Sequence, residues 1–180
     1  MMYVFGFSLL VVAAATVVLF AMLGELYART GATADERDTH RFVRPLTEAR
    51  VGARPGSWPA GLSHFETAPH GVVIVLSTAC GSCEDVAAQL DTGEDPAAYG
   101  ELAVLLSTGD PAKADEFLAR HPLGGLRPHV DHDGAWVTTE FGVRTSPTAL
   151  IFQGGRLASA LVFSDIAVLR PAVRLEKEQV

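Results

Sequence analysis

The pattern of apolar and polar positions predicts a series of short strands and helices from residue 71 onward. Residues 72–76 form a continuous apolar run, which is typical of a strand covered on both faces. The positions that follow repeat at helical spacing, with acidic residues in the first turn and an apolar side at Cys83, Val86, Ala87 and Leu90. The sequence therefore predicts a central strand that leads directly into a helix.

The remaining pattern predicts further strands and helices and then a hairpin. Asp110 and Pro111 are a cap residue followed by proline at the first helical position, and Gly154 and Gly155 separate two apolar runs as in a tight turn. Asp165 caps a last helix, which we expect Pro171 to end or kink. The expected strands are 102–106, a short one near 129–130, 148–153 and 156–163, with a helix around 136–141. This order predicts an α/β fold with a mixed central sheet flanked by helices.

The start of the chain predicts a membrane anchor. Residues 1–24 include 20 hydrophobic residues and no charge. As a helix they reach about 36 Å, enough for a hydrocarbon core of about 30 Å. A cleaved signal is less favoured, because a positive start is missing and the small residues at 32–34 lie far beyond the apolar stretch. We expect an anchor at 1–24, a tether and N-terminal extension at 25–70 whose later part packs on the domain, and a domain at 71–180.

Composition excludes several functions. The formal net charge of −7 gives no positive field for nucleic acid, so no nucleic-acid partner is predicted. Two cysteines, Cys80 and Cys83, rule out a disulfide framework and a four-cysteine zinc site. His129 and His132 are the nearest candidates by spacing for a shared metal site, which is the weaker interpretation, and no metal or cofactor is predicted.

The spacing of the two cysteines predicts redox chemistry. Cys80 begins a helix, whose N-terminus stabilises a thiolate, so it is the expected attacking sulfur. Cys83 lies one turn further along and faces the core, where it can resolve a mixed disulfide by attacking Cys80. Gly81 and Ser82 complete the motif. A static disulfide is a further alternative, although so small a loop constrains little of the unfolded chain.

Together with this motif, residues 142–155 (GVRTSPTALIFQGG) resemble the thioredoxin superfamily over about residues 71–174. In thioredoxins a similar stretch contains a cis-proline after Gly-hydrophobic-Arg, and a Gly turn follows its strand. The resemblance implies a cis bond between Ser146 and Pro147, whose backbone lines the client groove. An extra strand and helix before this stretch resemble the membrane-anchored TlpA-like branch, and residues 22–29 resemble the MauD type of methylamine utilisation.

The sequence departs from this family pattern near the cysteines. Ala79 and Ser82 stand where thioredoxins usually have Trp and Pro, and Ile74 stands where they bury an Asp that accepts a proton from the second thiol. These departures argue against the role of a general cytosolic reductase. Glu84 is a candidate for proton transfer, although a solvated acid in the first helical turn is the simpler interpretation.

The expected function is a membrane-anchored thiol:disulfide oxidoreductase that exchanges electrons with cysteines of extracytoplasmic client proteins and with a membrane electron donor or acceptor. The alternative is a tethered binding module or metallochaperone without redox turnover. Two features predict opposite orientations of the anchored domain. Four arginines that follow the anchor favour a cytoplasmic domain, namely Arg29, Arg37, Arg41 and Arg44. The family resemblance favours a domain outside the cytoplasm. We expect a single-pass membrane protein with its domain outside the cytoplasm.

Overall fold

A computed structural model describes residues 41–92, 99–126 and 128–178. The strands are β1 (Val43–Pro45), β2 (Gly71–Ser77), β3 (Glu101–Thr108), β4 (His129–His132), β5 (Thr148–Gln153) and β6 (Arg156–Phe163). The α-helices are α1 (Gly81–Asp91), α2 (Pro111–Arg120), α3 (Ala135–Phe141) and α4 (Ile166–Glu178), and 3-10 helices occur at Ala60–Glu66 and Leu123–Gly125.

The strands form one mixed sheet in the order β1-β6-β5-β2-β3-β4. β2, β3 and β4 are parallel, whereas β5 is antiparallel to β2 and to β6. The β5–β6 hairpin turns at Gly154 and Gly155, both with left-handed φ values (53° and 76°), as a two-residue primed turn requires. The predicted fold class of a mixed sheet flanked by helices is confirmed.

Alternate side chains of β2 pack on opposite faces of the sheet. Ile74 and Leu76 join a buried cluster with residues of α1, α2 and α4. Val73 and Val75 join a second cluster with α3 and the first 3-10 helix. Because both faces are covered, the whole strand is apolar, which is why it was recognisable in the sequence.

The later part of the N-terminal extension packs on the sheet, as predicted. Leu62 and Phe65 are buried in the second cluster. Trp58 lies 5.1 Å from Phe152 between ring centroids and packs against the same cluster. Val43–Pro45 adds an edge strand beside β6 that the pattern did not predict.

Of the two outcomes expected at Pro171, an end or a kink of the helix, the end is excluded. Helix α4 does not end at Pro171 but continues to Glu178. Proline removes one backbone donor, yet Leu169 and Val173 on either side of it are buried, and their packing holds the helix together.

The predicted anchor at residues 1–24 lies outside the described residues. Within the residues that the structure describes, no helix is both long and apolar enough to cross a membrane.

Candidate active site

The cysteine pair lies where β2 passes into α1. Cys80 has extended backbone angles and is the N-cap of this 11-residue helix. Its backbone N–H donates to the Ser77 carbonyl at the end of β2 (3.3 Å), and the Cys83 N–H donates to the Cys80 carbonyl (3.1 Å). The strand and the helix thereby fix the first sulfur at a helix N-terminus, where a negative charge is favoured.

The Cys80 sulfur is half-buried and surrounded by polar groups. Its Sγ lies 3.2 Å from Ser82 Oγ and 3.5 Å from the Ser146 carbonyl oxygen. Partial burial acts to raise the pKa of Cys80, but hydrogen bonds from the Cys83 thiol and the Ser82 hydroxyl outweigh it, so the pKa is lowered. This arrangement favours a thiolate at Cys80.

Cys83 is in the opposite situation. Its side chain is fully buried in the cluster with Ile74 and Val86. Burial, and the hydrogen bond it gives to Cys80, raise the pKa of Cys83 to about 12. Both cysteines are free thiols in the structure. The Cys80 sulfur is therefore half-buried and more readily ionised, while the Cys83 sulfur is buried and protonated.

The structure brings Ser146 next to Cys80, because its carbonyl oxygen lies 3.5 Å from Cys80 Sγ. The Ser146–Pro147 bond is cis, as the resemblance implied. Pro147 is buried directly before β5. The role of both residues in client binding stays a prediction.

Neither Ile74 nor Glu84 supplies a carboxylate to the cysteine pair in the described structure. Ile74 is fully buried, so this position of β2 provides no carboxylate near Cys83. Glu84 forms an ion pair with Arg120 of α2 (2.8 Å) on the surface. This partner was not predictable from the sequence, because Arg120 lies 36 positions away.

The residues considered for a metal do not converge on the cysteines. Asp131, between His129 and His132, is buried and accepts hydrogen bonds from the backbone N–H groups of Trp136 and Val137, both at 3.0 Å. It therefore serves as a cap for α3. Across the described ranges, no group of three or more His, Cys, Asp or Glu side chains is arranged to hold a metal ion.

A cavity next to Ser146 was not predicted. Its volume is about 370 Å³, and Ser77, Ser146, Arg144 and Asp133 are among the residues that line it. Arg144 belongs to the thioredoxin-like stretch 142–155, two positions before Ser146. The cavity is lined both by the loop after β4 and by the loop before β5, and no local sequence pattern predicts that these two loops share a cavity.

No protein-family model and no curated protein matches the sequence. Among solved structures, the chain is similar to a Neisseria meningitidis protein assigned as a thioredoxin, with 15% identity over 77% of this chain and 88% of that one, at a TM-score of 0.50. It is similar to the N-terminal domain of PilB from Neisseria gonorrhoeae, with 12% identity over 68% and 86% of the two chains and a TM-score of 0.50. A Chlorobium tepidum protein assigned as the thiol:disulfide interchange protein DsbE aligns over 76% of this chain and 96% of its own, with 19% identity and a TM-score of 0.49.

The Neisseria similarities and the strand order agree on the architecture. A mixed sheet in which a parallel β-α-β unit is followed by an antiparallel hairpin, with the cysteine pair at the first strand-to-helix junction, defines a thioredoxin-like fold. The fold predicted from the sequence is thus confirmed.

Proposed function

We propose that this protein is a thiol:disulfide oxidoreductase whose reactive pair is Cys80 and Cys83. The observation that carries the proposal is the asymmetry of the two thiols: the pKa of Cys80 is lowered, and that of Cys83 is raised to about 12. A purely structural pair has no need of such a difference. Stepwise exchange requires this difference in pKa, because Cys80 must attack the client as a thiolate while Cys83 stays protonated until the mixed disulfide has formed.

The reaction proceeds in two exchanges. The Cys80 thiolate attacks one sulfur of a client disulfide, so that a Cys80–client bond forms, the client S–S bond breaks, and the other client sulfur leaves as a thiolate. Cys83 then loses its proton and attacks Cys80. This second step forms the Cys80–Cys83 disulfide and releases the second client thiolate. Two electrons have passed from the protein to the client, and the reverse sequence oxidises a client.

The Ser146 backbone orients the client. Its carbonyl already lies 3.5 Å from the Cys80 sulfur, so an extended client segment that pairs with this backbone brings its own sulfur into reach. The clients are proteins that carry cysteine thiols or disulfides, and a membrane electron donor or acceptor resets the pair.

The finer proposal is a membrane-anchored oxidoreductase of the TlpA-like or MauD type. It is supported by the apolar length of residues 1–24 and by the sequence resemblance. We propose that the domain lies on the extracytoplasmic side, where the disulfide state of proteins varies. The Arg residues after the anchor favour the opposite orientation and make topology an experimental question.

A redox titration tests the proposed function. The protein is equilibrated in buffers of reduced and oxidised glutathione, quenched with an alkylating reagent, and analysed by intact mass. We expect one reversible two-electron transition between a dithiol and a Cys80–Cys83 disulfide. A pair that stays reduced, or stays oxidised, at every buffer ratio would contradict turnover and favour the tethered binding module.

Reporter fusions test the orientation. Alkaline phosphatase and a cytoplasmic fluorescent reporter are each joined after residue 40, so that the anchor is retained and the folded unit that begins at Arg41 is not cut. We expect an active phosphatase and a dark fluorescent reporter. The reverse result would place the domain in the cytoplasm.

A further inference from the structure

The cavity beside Ser146 lies on the opposite side of the sheet from the helix that carries the cysteines. Val75 and Val137 line it, and both belong to the buried cluster on the α3 face. Cys83 belongs to the cluster on the other face. Ser146 adjoins both regions, because its carbonyl contacts Cys80 and the residue lines the cavity.

An extended client segment would reach both regions at once. Successive side chains of a strand point to opposite sides. If the client cysteine points toward Cys80, the residues directly before and after it point the other way. The cavity is therefore placed to receive a side chain that flanks the reactive cysteine of the client.

Arg144 gives this cavity a positive charge close to Ser146. Arg144 is exposed and forms no salt bridge with any residue of the described ranges. It lines this cavity and also a neighbouring one of about 440 Å³, which Glu48 and Arg50 line as well. The planar guanidinium offers several donors in the geometry that a carboxylate accepts. A carboxylate on the client is thus the complementary group.

Asp133 also lines the cavity, but beside the end of β3: its backbone N–H donates to the Thr108 carbonyl (2.9 Å). β3 is separated from β5 by β2 in the sheet. Two strand spacings correspond to roughly 9–10 Å. Arg144, in contrast, precedes Ser146 by two positions. Arg144 is therefore the charged group that faces the residue next to the client cysteine.

We propose that this cavity is a specificity subsite that accepts an acidic side chain next to the reactive cysteine of the client, and that Arg144 selects it. The inference rests on the thiol:disulfide exchange proposed above and names the client sequence that this exchange favours. Arg144 would contribute through binding and would take no part in the transfer of electrons.

The test uses short peptides with one cysteine activated as a 2-pyridyl disulfide. Glu or Lys is placed directly before the cysteine in one series and directly after it in the other. When the Cys80 thiolate of the reduced full-length protein attacks the peptide sulfur, a Cys80–peptide disulfide forms and pyridine-2-thiolate leaves. The absorbance of this leaving group gives the rate. For each protein variant, the rate with the Glu peptide is divided by the rate with the Lys peptide. A change in the reactivity of the Cys80 thiolate itself then cancels from the ratio.

We expect the Glu peptide to react about three- to tenfold faster than the Lys peptide in at least one series at low salt, the size of an exposed charge interaction. Arg144→Gln should bring the ratio close to one, and Arg144→Glu should invert it. Asp133→Asn should change it less than Arg144→Gln does. Arg156→Gln is the matched control, because Arg156 follows the hairpin turn at the opposite end of β5 from Ser146.

A wild-type ratio near one in both series, or a ratio that does not depend on Arg144, would overturn the subsite. Circular dichroism verifies that each variant is folded. If the proposed exchange function itself is wrong, a different result is expected. The control reagent is 2-hydroxyethyl 2-pyridyl disulfide, which is uncharged and has no flanking residues. It would then react no faster with Cys80 than with a free cysteine peptide.

Discussion

Cys80 and Cys83 have the same side chain, but their surroundings shift the pKa values of the two thiols in opposite directions. Cys80 receives hydrogen bonds at a helix N-terminus, whereas Cys83 is enclosed by apolar side chains of the core. With a pKa of about 12, only on the order of one Cys83 thiol in 10⁵ is ionised at pH 7. The order of attack in the proposed reaction follows from this difference.

Replacing Ser82 tests the hydrogen bond to the Cys80 sulfur. Ser82→Ala removes a hydroxyl that lies 3.2 Å from Sγ, so the pKa of Cys80 should rise. Alkylation of Cys80 then becomes fast only at higher pH, and its rate at pH 7 should fall about three- to tenfold. Iodoacetamide labelling across a pH series, with the site located by mass spectrometry, measures this. Ser63→Ala, in the first 3-10 helix, is the control, and an unchanged profile in Ser82→Ala would show that the hydroxyl does not stabilise the thiolate.

Replacing Ile74 tests whether the lack of a nearby base slows the second exchange. Ile74→Asp places a carboxylate in the cluster that holds Cys83 and should shorten the lifetime of the mixed disulfide about tenfold or more. Ile74→Asn has nearly the same shape but accepts no proton, and is the matched control. The lifetime is followed by quenched intact-mass analysis. Equal lifetimes in the two variants would mean that proton removal from Cys83 does not limit resolution.

Elements with strong local signals were predictable almost to the residue. The hairpin strands 148–153 and 156–163 coincide with Thr148–Gln153 and Arg156–Phe163, because two adjacent glycines fix the turn and the pleat fixes the register. The short edge strand Val43–Pro45 was not predictable, because its three residues include a proline and gain their structure only from pairing with β6.

Asp131 lies between the two histidines considered for a metal site, and its carboxylate instead caps α3. Asp131→Ala removes the acceptor for two backbone N–H groups of α3 in a buried position. We expect the free energy of unfolding to fall by about 1–3 kcal/mol in a urea titration. Asp115→Ala, on the exposed surface of α2, should change it by less than about 0.5 kcal/mol. A neutral Asp131→Ala would argue against the capping role.

The folded unit begins at Arg41. The order from β2 to α4 was predictable, since each element has its own apolar period. That the later part of the extension packs on the domain was also predictable from its apolar residues, but the face that residues 46–66 cover was not, because this segment shows no period and is fixed by distant partners. Arg50, for example, donates from its side chain to the Thr139 carbonyl (2.8 Å), and its backbone N–H donates to the Phe141 carbonyl (2.9 Å). The same holds for the Arg144 cavity, which joins loops far apart in the chain.

Truncating Phe65 tests whether this extension belongs to the cooperative fold. Phe65 is fully buried, so Phe65→Ala should lower the free energy of unfolding by about 3–5 kcal/mol. Val51→Ala is the control, because Val51 is 61% exposed. Urea unfolding followed by tryptophan fluorescence measures both. A loss of less than about 1 kcal/mol in Phe65→Ala would mean that the segment behaves as a loose tether.

The different roles of Cys80 and Cys83 are tested most directly by trapping the mixed disulfide with a peptide. Wild type, Cys83→Ala and Cys80→Ala are each reduced and mixed with the disulfide-linked dimer of a short cysteine peptide, and intact mass is followed over time. We predict a lasting Cys80–peptide adduct in Cys83→Ala, and in wild type a Cys80–Cys83 disulfide with both peptides released as thiols. Cys80→Ala should form an adduct at least about a hundredfold more slowly, because the Cys83 thiol is buried and protonated. An adduct that forms in Cys80→Ala as fast as in Cys83→Ala would contradict the proposed mechanism.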